Sequence, residues 1–113
     1  MKLIVAYIRP FMADRVSDAL RAARVHGVTI ANCQGFGRIS DDKSPRYVEE
    51  AAVLGFAAKT KIEIVCRNDD ADGIVAAIRE HAHTGHPGDG KIFVSDIGEA
   101  IDIRTGETGE TVV

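Results

Sequence analysis

Residues 3–8 read LIVAYI, an unbroken apolar run that Arg9 and Pro10 bring to an end. Six residues is strand length, and a run without polar alternation reads as a strand covered on both faces. Leu3, Val5 and Tyr7 point one way, Ile4, Ala6 and Ile8 the other. This run decides the fold, because whatever packs on one face leaves a second apolar face to be covered.

Working outward, FMADRVSDALRAARVHG (11–27) carries Met12, Val16, Ala19, Leu20 and Ala23 at helical spacing. Asp14 favours its N-terminal end. Gly27 sits where the chain turns out of the helix, and Arg24 just before it is a poor terminating residue if that position needs positive φ. VTIANCQGFG (28–37) is the second strand. KTKIEIVC (59–66) is the third, with Ile62 and Ile64 on one face and Lys61 and Glu63 on the other. NDDADGIVAAIREHAH (68–83) is a second helix, capped by Asn68 to Asp70 and packed through Ile74, Ala77 and Ile78. KIFVSDI (91–97) is a fourth strand, AIDIRTGE (100–107) a short fifth, and 106–113 an expected mobile tail.

The order is βαββαβ with a short extra C-terminal strand. That predicts an α+β, ferredoxin-like sandwich: an antiparallel sheet with two helices on one face and a long loop, residues 38–58, between strands 2 and 3. Two helices cover one face only, so a homo-oligomer assembled through the open face is expected.

Bulk properties narrow the classes. A chain of 113 residues suits a single domain, 1–113. Its formal charge of −3 is spread along the chain without a Lys/Arg block, which excludes a nucleic-acid footprint. No apolar run approaches the roughly 18 residues of a bilayer span, so membrane contact is expected only through a partner. The N-terminal run is too short for a signal peptide. Cys33 and Cys66 stand apart, reading as reduced thiols of a cytoplasmic protein.

TGHPGDGK (84–91) contains the spacing G-x-x-x-x-G-K of a P-loop. A P-loop runs strand, loop, helix, and its lysine is followed by Ser or Thr. Here the helix comes first and Ile92 follows Lys91. The remaining chemistry is an anion nest: Gly85, Gly88 and Gly90 permit backbone shapes in which N–H groups converge, and Lys91 adds a charge at the rim. A plain helix-to-strand turn is the other reading of the spacing.

TGHPGDGKIFV, IRTGE and GFGR, in this order, closely resemble the nitrogen-regulatory P-II signalling proteins, and the resemblance extends from IRPF to IRTGE. It implies a trimer that binds ATP or ADP between neighbouring subunits, with AMP a further candidate, and that regulates a transporter or enzyme by docking loop 38–58. Gly88, Asp89, Gly90 and Lys91 match the phosphate-holding turn. Thr29, Glu63 and Val65 match the adenine side. Gly35, Gly37 and Arg38 match the foot of the loop, Lys59 a lysine that meets a 2-oxoacid, and Arg104 a cation reaching the phosphates across the subunit boundary.

Three departures accompany it. Asp102 replaces an arginine two residues before Arg104; on a strand the two side chains share a face, which predicts weaker nucleotide binding or a shift toward fewer phosphates. Ile39 replaces a glutamine that helps hold magnesium and 2-oxoglutarate, which counts against both ligands. Ala52 occupies the position of the modified tyrosine and Tyr47 lies out of place, so no uridylylation is expected at that site. Loop residues Asp41, Asp42, Lys43, Arg46, Glu49 and Glu50 are charged and Val53, Leu54 and Phe56 apolar, a pattern that fits insertion into a partner.

No catalytic residues are expected: Ser40, Ser44 and Ser95 lack an activating neighbour, and Asp69 and Asp70 read as helix caps. His81, His83 and His86 make H-x-H-x-x-H at the helix end, but on a helix 81 and 83 diverge by roughly 200°, so no metal site is expected. The leading expectation is an adenine-nucleotide sensor that is not an enzyme. The alternative is a P-II-like module responding to bicarbonate or a metal ion.

Overall fold

The structure is a computed structural model that describes residues 1–36 and 57–113. Gly37, Arg38, Ile39, Tyr47, Ala52 and the expected docking segment to Phe56 lie outside the described residues. The elements run β1 (Lys2–Ile8), a 3₁₀ turn (Pro10–Met12), α1 (Ala13–Ala22), β2 (Val28–Gly35), β3 (Ala57–Cys66), α2 (Asn68–Ala82), β4 (Gly90–Asp96) and a second 3₁₀ turn (Glu110–Val112). The sheet is antiparallel in the order β2-β3-β1-β4. This is the expected α+β, ferredoxin-like arrangement.

The apolar run is a central strand, as its two-sided pattern requires. Ile4, Ala6 and Ile8 are buried against Ile62 and Ile64 of β3, Val16 and Leu20 of α1, and Ile74 and Ile78 of α2. Each Ile, Leu or Val among them contributes roughly 1.5–3 kcal/mol by burial. The other face carries Leu3, Val5 and Tyr7, in register with Val65, Glu63 and Lys61 of β3 and with Ser95, Phe93 and Lys91 of β4. No helix among the described residues covers it, and Phe93 is 55% exposed. No helix among the described residues is long and apolar enough to cross a membrane.

Three local expectations change. Helix α1 closes before Gly27: Val25 N–H donates to Leu20 O and Arg24 N–H to Arg21 O, both at 3.0 Å, with Arg24 in the left-handed region at φ 58. This is a Schellman closure with arginine where glycine is favoured, and Val25 packs back on the core that contains Leu20. Helix α2 has Arg67 as N-cap, without a side-chain cap bond, so Asn68 to Asp70 form its first turn. Asp69 and Asp70 act there through the helix dipole. The segment expected as a fifth strand forms one bridge, Ile101 to Thr108. Asp102 Oδ1 accepts the Thr105 N–H at 2.9 Å, Gly106 N–H donates to Asp102 O and Asp102 N–H to Glu107 O, both at 2.8 Å. An Asp that captures an amide ahead of it folds the chain back on itself, so no strand is added to the sheet.

Candidate functional site

The candidate site is built around the connection from α2 to β4. Helix α2 ends at Ala82, and His83 is already extended. Gly85, Gly88 and Gly90 all have positive φ. At Gly90 the reason is doubled, since a Cβ there would stand 1.7 Å from the Tyr7 carbonyl oxygen. Only a residue without a side chain lets β4 start this close to β1.

Asp89 ties the turn together. Its Oδ2 accepts the Thr84 N–H at 2.8 Å and the Gly85 N–H at 3.0 Å, and its Oδ1 accepts the Thr84 hydroxyl and, at 3.0 Å, Arg9 Nε. Burial alone pushes this carboxyl up. The Thr84 hydroxyl, the Thr84 and Gly85 amides and Arg9 outweigh it and lower the pKa to about 2. The His86 N–H donates to Thr84 Oγ1 at 3.1 Å. Hence the expected nest changes composition: the Gly85 amide is taken by Asp89, and the first half of the turn is closed within itself.

Two lysines adjoin the turn. Lys59 Nζ donates to the Gly88 carbonyl at 3.0 Å. Lys91 follows the turn on the open sheet face, in register with Tyr7, whose ring meets Phe93 edge-on at 6.3 Å between centroids. Lys61 is in register with Tyr7 on its other side. It pairs with Glu63 at 2.6 Å, and the Glu63 hydrogen bond and charge raise its pKa.

The remaining expected residues fall elsewhere. Thr29 lies opposite Glu63 on the open face, toward the β2 edge. Val65 shares that face, opposite Leu3. Gly35 pairs with Ala57 at the far end of β2. Arg104 is exposed in the C-terminal turn. The strand geometry that set Asp102 beside it is replaced: the Asp102 carboxylate is turned onto the Thr105 amide, which holds its pKa below the usual range.

Sequence reasoning missed Arg9. It is fully buried and also donates from Nη2 to Pro87 O at 2.8 Å and His86 O at 3.3 Å. The available signal was a cation directly after an all-apolar strand, which demands a buried acceptor set. Among the histidines, His81 Nδ1 lies 2.8 Å from Ala77 O. No group of three His, Cys, Asp or Glu among the described residues could hold a metal.

The family profile described as "Nitrogen regulatory protein P-II" matches residues 1–107. The chain is 46% identical over 113 residues to the "Nitrogen regulatory protein P-II" of Mesorhizobium japonicum, covering 100% of both chains. It is 45% identical to that of Cereibacter sphaeroides, again over 100% of both. Identity to the "Nitrogen regulatory protein P-II 2" of Methanothermobacter thermautotrophicus is 43%, over 100% of this chain and 97% of the relative.

Proposed function

The chain belongs to the nitrogen regulatory protein P-II family, and from that premise we propose that it is a non-catalytic, cytoplasmic homotrimer that senses adenine nucleotide. ATP or ADP lies between neighbouring copies, and occupancy is passed to a transporter or enzyme through the expected docking loop from residue 38, shortened at its end because Ala57 and Ala58 belong to β3.

The observation that carries this reading is the spread of the candidate residues across one sheet, from Thr29 on the β2 edge through Glu63 and Val65 on β3 to the glycine turn and Lys91 at the β4 edge. Gly90 and Lys91 lie on β4, and Thr29 lies on β2. Three strand spacings separate those edges, roughly 14 Å. Thr29's row runs through Glu63 and Val5 to Phe93, and Lys91 stands in the neighbouring row with Tyr7 and Lys61. A second copy that sets its β2 edge beside this β4 edge unites the two ends and covers Phe93 in the same step.

The turn fits a phosphate chain. Lys59 touches it, Lys91 follows it, and its one carboxylate is neutralised by Arg9 on the inside. A phosphate would meet backbone amide and ammonium there. Ile39 and the engagement of Lys59 with Gly88 both count against magnesium and 2-oxoglutarate as partners of the site. AMP stays a further candidate beside ATP and ADP.

Calorimetry with ATP, ADP and AMP, run beside sedimentation of the same material, tests the proposal. One adenylate per chain on a trimer is the expected result. A single sedimenting chain that takes up no adenylate overturns it.

A further inference from the structure

We infer that Arg9 is the positioning residue of the glycine turn: its buried guanidinium draws Asp89 inward and aims the Gly88 N–H outward, toward a phosphate chain. This rests on the reading that the turn takes phosphates.

The argument starts from burial. Arg9 has no exposed surface, and a buried guanidinium requires acceptors placed to match its planar fork. Among the described residues, acceptors at Nε and Nη2 come from the turn: Asp89 Oδ1, Pro87 O and His86 O. These partners lie 77 to 80 residues away in sequence, so one side chain at the end of β1 holds the turn from beneath. Gly90, seated against Tyr7 and in register with Ile8, fixes the exit of the same turn.

Peptide planarity then decides what faces outward. The described chain has no cis peptide bond, and in a trans peptide the C=O and the following N–H point in opposite directions. Because the Pro87 carbonyl points at Arg9, the Gly88 N–H points away from it. Pro87 itself has no N–H, so the His86 carbonyl can face Arg9 without misdirecting a donor. Asp89 would repel a polyphosphate if its carboxylate faced out. Held by Arg9, Thr84 and Gly85, it faces in.

Arg9→Lys keeps the charge and loses the fork, and the test uses the full chain. ATP affinity is read by calorimetry, and amide hydrogen exchange is read at Thr84 and Gly85 against Ile62 and Ile64 of β3. The expected result is ATP binding weaker on the order of tenfold, with exchange accelerated at Thr84 and Gly85 but not in β3. ATP affinity within twofold of the parent overturns the inference, as does exchange accelerated equally in β3, which reports general loosening.

If Arg9→Lys does not fold, Asp89→Asn decides by sign. A carboxylate that faced the phosphates would, on removal, leave ATP bound more tightly. A carboxylate that shapes the turn leaves it bound more weakly, and unchanged or tighter binding counts against the inference. If the parent chain binds no adenylate, the functional reading fails on its own, and the exchange rates at Thr84 and Gly85 still decide whether Arg9 positions the turn.

Discussion

The carbonyl oxygen of Tyr7 occupies the space that a side chain on Gly90 would need, 1.7 Å from the Cβ position. Gly90 also has φ 113, a region that L side chains rarely adopt. The two constraints act on one residue, where β4 begins its pairing with β1. Gly90→Ala is expected to destabilise the fold by about 3 kcal/mol or more, because the obstruction is backbone that cannot swing aside. Urea unfolding measures it, and a loss under about 1 kcal/mol would show that the strands separate easily there.

Acid should weaken the fold through Asp89. Its folded pKa is depressed from 3.8 to about 2, so its contribution is present above the unfolded value and disappears as pH falls through the folded one. At about 1.4 kcal/mol per pH unit the contribution is about 2 kcal/mol, lost between about pH 4 and pH 2. Chemical unfolding across that range should show this drop in the parent and a smaller one in Asp89→Asn. Equal acid sensitivity in both would refute the assignment.

Arg24 closes α1 in a left-handed conformation that costs an L side chain roughly 1 kcal/mol. Its guanidinium is exposed. Arg24→Gly should therefore stabilise the chain by about 0.5 kcal/mol at most, because the extra freedom of the unfolded glycine, about 0.4–1 kcal/mol, offsets much of the strain relieved. A lower melting temperature in the variant would contradict this account.

The two thiols should react unequally. Cys66 is 7% exposed, and burial pushes its thiol up. Cys33 is half-buried near the far end of β2, with its Sγ 3.4 Å from the Lys59 carbonyl. Iodoacetamide on the native chain should label Cys33 first and Cys66 only as the fold opens. Peptide mass spectrometry at early times reads this, and equal labelling of both would be incompatible with the described core.

Much of the architecture was legible because it is written in short periods. The unbroken apolar run at 3–8 identified the central strand, and the alternation of Ile62 and Ile64 with Lys61 and Glu63 fixed which side of β3 faces the helices. The caution about Arg24 was also local, and it matches the observed positive φ. What escaped depends on contacts that no short window contains. Arg9 is explained only by acceptors near the other end of the chain. Asp89 reads as a member of a phosphate turn, yet its carboxylate serves Thr84, Gly85 and Arg9. Asp102 was misread for a different reason: strand periodicity was assumed across a segment where one side chain captures a nearby amide and bends the chain.

The placement of β1 has a consequence for synthesis. Strand β1 leaves the ribosome well before both of its neighbours, with Lys2 opposite both Cys66 and Asp96. Such sequence-distant pairing gives high contact order and slow closure. Until β3 and β4 emerge, LIVAYI is a nascent segment with two unpaired edges, the kind of intermediate that holdase chaperones shield from aggregation.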